Sequence, residues 1–151
     1  MKIVDYYDCK DKPHWLTLIK SADWGAAGFL TELLSKNELK KFCGENARAL
    51  LLTEENELIS FCTLAEKDEV DALEMSPWIG FVYTFPQYRG KGYAGELIDF
   101  ACGEALKAGA KNVFVSTDAV GFYERYGFEY LCEMATVFVE KSRIYKKVLT
   151  N

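Results

Sequence analysis

A basic, glycine-rich turn is the stretch of the chain with the clearest chemical potential. It follows an apolar, aromatic and β-branched run, Trp78 to Phe85, that is typical of a buried strand and that Pro86 must end. An amphipathic stretch then begins near Tyr93. Gly90 and Gly92 carry no Cβ, and a helix that starts directly after them presents unpaired N–H groups and the positive end of its dipole. Strand, turn and helix in this order predict a phosphate-binding site.

Two cations strengthen this prediction, because Arg89 and Lys91 lie where the phosphates of a ligand would be. Residues 90–95 also match the dinucleotide fingerprint G-x-G-x-x-G, and Asp118 lies where a ribose-binding acid would be sought. In a dinucleotide fold, however, the first glycine lies at the end of the strand, whereas here four residues intervene. A dinucleotide-binding oxidoreductase is therefore the weaker alternative.

The same glycines belong to a second pattern. Val82, Gln87, Gly90 and Gly92 have the spacing V-x-x-x-x-Q/R-x-x-G-x-G/A, which resembles the acetyl-CoA signature of the GCN5-related N-acetyltransferase (GNAT) family. A later segment resembles the other family pattern, A-x-x-x-Y-E-x-x-G-F, at Ala119, Tyr123, Glu124, Gly127 and Phe128. Two motifs in the family's order and spacing are far more specific than either alone. They cover the C-terminal half of the chain.

The resemblance implies acetyl-CoA as the cosubstrate. It implies cofactor contacts from the end of the strand, from the turn and from the next strand, at Val82, Tyr83, Thr84, Gln87, Arg89, Gly90, Lys91, Gly92, Tyr93, Ala94 and Ser116. The family often has asparagine at the position of Ser116, where this chain keeps only a hydroxyl for a pantetheine contact.

The implied reaction is direct acetyl transfer, in which the primary amine of a small molecule or peptide attacks the thioester carbonyl and a CoA thiolate leaves. A backbone N–H near Val82 or Tyr83 is expected to stabilise the thioester oxygen if the strand bulges there. Tyr123 is the family position for the acid that protonates the thiolate, with Tyr126 as the alternative acid. The alternative role for Tyr123 is packing in the core. The alternative function for the protein is that of a module that binds CoA without catalysis.

The family does not fix the general base. Glu74, just before the predicted central strand, is the predicted base, acting directly or through a water; Asp71 and Asp23 are alternatives. Each of these acids could instead be a plain surface charge. In GNAT folds the segment after the first strand commonly walls the acceptor site, which makes Trp24 a further acceptor-facing candidate. The run Glu66 to Glu69 is predicted to be a solvated loop.

Composition limits the classes of partner. The 151 residues are 50% apolar and 27% charged, which predicts one globular domain over 1–151. A net charge of −5 argues against nucleic acid and favours an amine acceptor. No apolar segment is long enough for a signal peptide or a membrane span, which predicts a cytoplasmic protein without a membrane partner. A homodimer is left open. Five scattered cysteines and a single histidine predict reduced thiols and no metal site.

The fold expected from the resemblance is a single α+β GNAT domain with helices on both faces of a twisted, mostly antiparallel sheet of six or seven strands. Strand, turn, helix and strand form one βαβ unit, so the strands around Phe81 and Val115 should be parallel neighbours. The sequence pattern itself predicts strands at 2–7, 47–53, 58–65, 78–85, 112–116, 128–139 and 144–149, and helices after Asp11, after a cap at Ser21 or Asp23, at 93–109 and at 119–126.

Overall fold

The computed structural model describes residues 1–150, which form one seven-stranded sheet with helices on both faces. The strands are β1 (Lys2–Asp5), β2 (Arg48–Glu54), β3 (Glu57–Ala65), β4 (Trp78–Thr84), β5 (Asn112–Thr117), β6 (Glu129–Ala135) and β7 (Lys141–Val148). The helices are α1 (Lys12–Lys20), α2 (Gly25–Ser35), α3 (Leu39–Cys43) and α4 (Tyr93–Lys107). None of the helices within the described residues is both long and apolar enough to cross a membrane.

The strand order is β1-β2-β3-β4-β5-β7-β6, and all neighbouring pairs are antiparallel except β4 and β5. This confirms the predicted α+β fold with a mixed, mostly antiparallel sheet. A doubly wound dinucleotide fold needs a mostly parallel sheet, so the strand pairing of residues 1–150 does not support that alternative.

Both faces of the sheet centre are buried, because helices cover both. Successive residues of a strand point to opposite faces. Phe61 and Ala65 of β3 therefore pack under α1, α2 and α3, whereas Cys62 and Leu64 pack under α4. This explains why β2 and β3 read as nearly continuous apolar runs rather than as alternating ones.

The pairing of β4 with β5 is unusually short. It holds at Trp78 with Phe114 and at Ile79 with Val115, and no further pair follows. Beside it, β4 bulges against β3: Gly80 faces Thr63 and Tyr83 faces Phe61, so two residues of β4 stand opposite one residue of β3. The bulge bends β4 away from β5 and opens a gap between them. Both the parallel neighbours and the bulge near Val82 are thus confirmed.

Several local predictions differ from the structure, and the strands expected at 2–7 and 128–139 end earlier, at Asp5 and Ala135. The side chains of Ser21 and Asp23 do not cap α2, since its N-cap residue is Trp24, which makes no side-chain cap hydrogen bond. The five-residue helix α3 was not predicted, because it is too short to show a helical period. Residues 119–126 do not form an α-helix; only the 3₁₀ turn Tyr123–Tyr126 forms, and Gly127 ends it in the left-handed conformation as expected.

Two glycines of α4 have different surroundings. A Cβ on Gly95 would run into the ring of Tyr126, so this glycine lets the 3₁₀ turn lie directly against the helix. A Cβ on Gly103 would meet no atom within 4 Å. Gly103 therefore costs the helix conformational entropy without providing a close contact.

We expect Gly103→Ala to stabilise the protein by about 0.5–1 kcal/mol, because alanine restricts the unfolded chain at a helical position with free space. Gly95→Ala should destabilise it by about 1–3 kcal/mol, because the ring of Tyr126 must move. Urea unfolding of both variants measures the two effects. Equal effects of the two changes in one helix would contradict the contact with Tyr126.

Candidate active site

A cavity of about 570 Å³ opens on the α4 side of the gap between β4 and β5. We name it the turn cavity. Its walls come from the end of β4, the glycine turn, the start of α4, the end of β5 and the 3₁₀ turn. The lining residues are Val82, Tyr83, Thr84, Tyr88, Arg89, Gly90, Gly92, Tyr93, Ala94, Thr117, Ala119, Phe122, Tyr123, Arg125 and Tyr126.

Eight of the eleven residues expected to bind the cofactor line this cavity together with Tyr123. Gln87 and Lys91 are exposed and do not line it, and Ser116 lies on the other side of the sheet. Thr117 and Arg125 were not predicted, although Thr117 directly follows Ser116 and Arg125 lies two residues after Tyr123. Arg125 adds a third cation to this region.

The glycine turn is built for close backbone approach. Gly90 and Gly92 both have a φ of 80°, a left-handed conformation that residues with a Cβ rarely adopt. A Cβ on either would meet no protein atom within 4 Å, so the surface in front of them is bare backbone. The first hydrogen bond of α4 runs from the Glu96 N–H to the Gly92 carbonyl at 3.1 Å, which leaves the preceding N–H groups without a partner in the helix.

Arg89 is held in place at the mouth of the cavity. Its Nε donates to the Thr84 carbonyl at 2.8 Å, and its guanidinium lies 5.3 Å from the ring centre of Tyr83. The remaining guanidinium N–H groups are not used by this hydrogen bond, so they can reach an anionic ligand.

Tyr123 lies deep in the turn cavity and is only 6% exposed. Its ring packs edge-on against Phe122 and Phe128, with centres 5.0 and 5.6 Å apart. These contacts form in a 3₁₀ turn rather than in the α-helix expected over 119–126, and they show that Tyr123 also packs against its neighbours. Burial first, and then Cys62 and Asp68, raise the pKa of Tyr123 well above its usual value. The hydroxyl is thus protonated at neutral pH.

A second cavity of about 150 Å³, which we name the aromatic cavity, lies on the opposite face of the sheet. It is lined by Trp24, Ala26, Phe29, Phe42, Asp68, Glu69, Phe81, Ser116 and Phe138. Phe81 here and Val82 in the turn cavity are successive residues of the bulge, as Ser116 and Thr117 are of β5. Because successive strand residues point to opposite faces, the two cavities lie back to back at the gap.

Asp68 and Glu69 of the run Glu66 to Glu69 line this cavity, so the prediction of a solvated loop is wrong for these two residues. Glu66 accepts a hydrogen bond from the Asn46 N–H at 2.6 Å, and Glu69 accepts one from the Ser116 hydroxyl at 2.7 Å. Asp68 is half-buried, and its Oδ1, which is buried, has no hydrogen-bond partner. Burial raises the pKa of Asp68 to about 7.

The acids favoured from the sequence lie elsewhere. Glu74, Asp71 and Asp23 are all exposed, and none of them lines either cavity. Trp24 does line the aromatic cavity, and its ring stacks on that of Tyr83 with centres 5.6 Å apart. The signal for Asp68 in the sequence was weak, because a four-residue charged run looks like any surface loop.

Cysteine and metal chemistry have little support. The five cysteines are free thiols, three of them buried and two half-buried. Within residues 1–150, no group of three or more His, Cys, Asp and Glu side chains is arranged to hold a metal ion.

The fold has many relatives among solved structures. An aminoglycoside 6'-acetyltransferase type Ii superposes with a TM-score of 0.74 at 13% identity, over 100% of this chain and 99% of that one. A GNAT family acetyltransferase from Elizabethkingia anophelis with acetyl-CoA bound gives 0.69 at 15% identity, over 98% and 97%. A GNAT family N-acetyltransferase from Escherichia coli in complex with CoA gives 0.67 at 20% identity, over 99% and 81%.

At these identities the superpositions show the shared fold. A search of curated proteins finds no significant match to the sequence. The family model described as "Acetyltransferase (GNAT) domain" matches residues 45–130, which is more than half of the chain. The matched segment includes the glycine turn and the strands β4 and β5. The chain therefore belongs to the GNAT acetyltransferase family.

Proposed function

We propose that the protein is an N-acetyltransferase that moves the acetyl group of acetyl-CoA to the primary amine of a small molecule or peptide. The observation that carries this proposal is the pair of cavities that meet at the gap between β4 and β5. One cavity has the glycine turn and cations that suit a phosphorylated cofactor, and the other has acids that suit an amine. Two substrates bound from opposite faces would meet at the bulge.

Acetyl-CoA would occupy the turn cavity. Its pyrophosphate would accept hydrogen bonds from the N–H groups around Gly90 to Ala94, with the dipole of α4 adding attraction. Its pantetheine arm would lie in the gap, because β4 forms no ladder with β5 beyond Ile79 and a pantetheine amide can pair with the freed strand edge. Arg89 and Arg125, both at this cavity, supply positive charge for the phosphates.

The chemical step requires little from the protein beyond position and polarity. The neutral amine attacks the thioester carbon, a C–N bond forms, the C–S bond breaks, and the sulfur keeps the electron pair. A backbone N–H of the bulge, at Val82 or Tyr83, would donate to the thioester oxygen as it gains charge.

Tyr123 would donate from its hydroxyl to the leaving sulfur. Burial raises the pKa of the Tyr123 hydroxyl. The same burial raises the pKa of a thiol beside it, so the difference between the two pKa values stays small enough for proton transfer. Binding of CoA alone does not require a proton donor such as Tyr123 beside the thioester. We therefore favour catalysis over binding alone. Measured acetyl transfer to any amine decides between the two.

The glycine turn yields a test with a matched control. Gly92→Ala and Gly109→Ala both place a Cβ at a left-handed residue with free space, with φ of 80° and 97°, at opposite ends of α4. Both should lose stability by about 1–2 kcal/mol for that reason. Calorimetry with acetyl-CoA should show a large loss of affinity for Gly92→Ala alone, because its methyl group occupies the space of the phosphate. Equal affinities of the two variants would remove the turn from the cofactor site.

Replacing Tyr123 by phenylalanine separates acid catalysis from packing. The ring contacts persist, so we expect the fold and the affinity for acetyl-CoA to change little, while kcat falls by roughly 10²–10⁴. Thiol release with the best amine of a panel measures the rate. Tyr126→Phe tests the alternative acid. If kcat falls in this variant and not in Tyr123→Phe, Tyr126 is the acid. If both variants keep the full kcat, neither tyrosine protonates the thiolate.

A further inference from the structure

The aromatic cavity is lined by an acid, Asp68, that has one buried oxygen without a hydrogen-bond partner. Asp68 Oδ1 and Thr63 Oγ1 are both buried without a hydrogen-bond partner. Both face Gly80 at the foot of the bulge: a Cβ on Gly80 would collide with Asp68 Oδ1 and would lie 3.1 Å from Thr63 Oγ1. Leaving a buried polar atom without a partner destabilises the fold, so these oxygens are placed to receive a hydrogen-bond donor.

No cation of the protein fills this role. None of the ion pairs formed within residues 1–150 includes Asp68 or Glu69. The titratable groups that face Asp68 are the neighbouring Glu69, the Cys43 thiol of α3 and the Tyr123 hydroxyl across the sheet. All of these are neutral or negative near pH 7, and the adjacent Lys67 is exposed. The cavity is therefore suited to a positively charged ligand.

The walls around this acid are aromatic. Phe29 meets Phe42 and Phe138 edge-on, with ring centres 5.3 and 5.9 Å apart. Trp24 and Phe138 are 37% and 53% exposed, which is high for such large apolar rings. Aromatic faces attract both apolar groups and ammonium ions.

The loop that carries Phe138 is fixed to the acidic loop. The Val137 N–H donates to the Glu69 carbonyl at 2.7 Å, and this hydrogen bond holds Phe138 beside the acids. The free space is about 150 Å³, and a dry cavity of that order accommodates a benzene-sized group. Drug-sized ligands need roughly 300–1,000 Å³.

We propose that the aromatic cavity is the acceptor site, that it accepts a small monoamine with an aromatic body, and that Asp68 is the base that deprotonates the amine. This inference rests on the proposed acetyl transfer and names its substrate class. An aminoglycoside carries several ammonium groups, whereas this cavity offers one carboxylate oxygen without a partner.

The protons balance as follows. The acceptor enters as R–NH₃⁺ and gives one proton to Asp68, which later releases it to water. The neutral amine attacks the thioester carbon, the C–S bond breaks, and Tyr123 gives its hydroxyl proton to the CoA sulfur. The second amine proton then restores the Tyr123 hydroxyl. The products are the amide R–NH–CO–CH₃, CoA thiol and one proton in solution.

The first experiment compares acceptors on the wild-type protein. With saturating acetyl-CoA, we expect kcat/KM for 2-phenylethylamine to exceed that for butylamine, spermidine and kanamycin by at least about tenfold, because the aromatic walls discriminate by apolar contact. Preference for spermidine or kanamycin would overturn the substrate class while leaving acetyl transfer intact. Failure to bind acetyl-CoA at all would instead overturn the proposed function.

The second experiment tests the walls with a matched pair in one loop. Phe138→Ala should raise KM for 2-phenylethylamine about tenfold and leave that for butylamine nearly unchanged. Val139→Ala is the control, because Val139 is 89% exposed and does not line the cavity. Equal effects of the two changes would exclude Phe138 from acceptor binding.

The third experiment tests Asp68 by Asp68→Asn. Wild-type kcat/KM should rise with pH and level off above about 7, as the carboxyl loses its proton. The variant should lose roughly 10²-fold or more in kcat and lose this pH dependence, while acetyl-CoA affinity stays the same. An unchanged rate or pH profile would remove Asp68 as the base.

Stability provides a readout of Asp68 that does not depend on activity. The folded pKa of about 7 lies above the unfolded value of about 3.9, so folding favours the neutral carboxyl. The contribution of Asp68 to stability is greatest below pH 4, falls as pH rises towards 7 and is constant above that. Asp68→Asn mimics the neutral form, so its Tm at pH 8 should exceed that of the wild type. A lower Tm would show that the charged carboxyl stabilises the fold and would contradict an unpaired buried acid.

Discussion

The hydrogen-bonded ladder between β4 and β5 ends after two residue pairs, and both cavities of the molecule's centre depend on that ending. The bulge that causes it carries a cost, because Phe81 has a φ of 51°, which is unfavourable for a residue with a bulky side chain. Contact of the Phe81 ring with Phe29 helps to hold this conformation, with centres 6.2 Å apart. Packing on one face thus maintains a backbone distortion that serves both faces.

The cofactor half of the site could be predicted from the sequence because its determinants are local. Gly90, Gly92 and the start of α4 lie within a few residues of one another, and their conformations follow from turn and helix chemistry. The position of Tyr123 followed from a family pattern, but its burial did not. A 3₁₀ turn rotates side chains differently from an α-helix, and four residues are too few for a sequence period to distinguish the two.

The aromatic cavity could not be predicted in this way, because its residues come from distant parts of the chain. Trp24 precedes α2, Asp68 lies in the loop before β4, and Phe138 lies between β6 and β7. A charged run and isolated aromatic residues carry no period, so only the tertiary fold shows that they meet. Burial of Asp68 against Gly80 is also a packing result that no local propensity encodes.

The hydrogen bond from Val137 to the Glu69 carbonyl joins two connecting loops rather than two strands. The walls of the aromatic cavity are consequently carried on segments that can accept new side chains without disturbing the ladder register or the core. The glycine turn has no such freedom, because a residue with a Cβ would have to adopt the left-handed φ of 80° found at Gly90 and Gly92. Divergence in this protein would therefore alter the choice of amine long before it altered the choice of acyl donor.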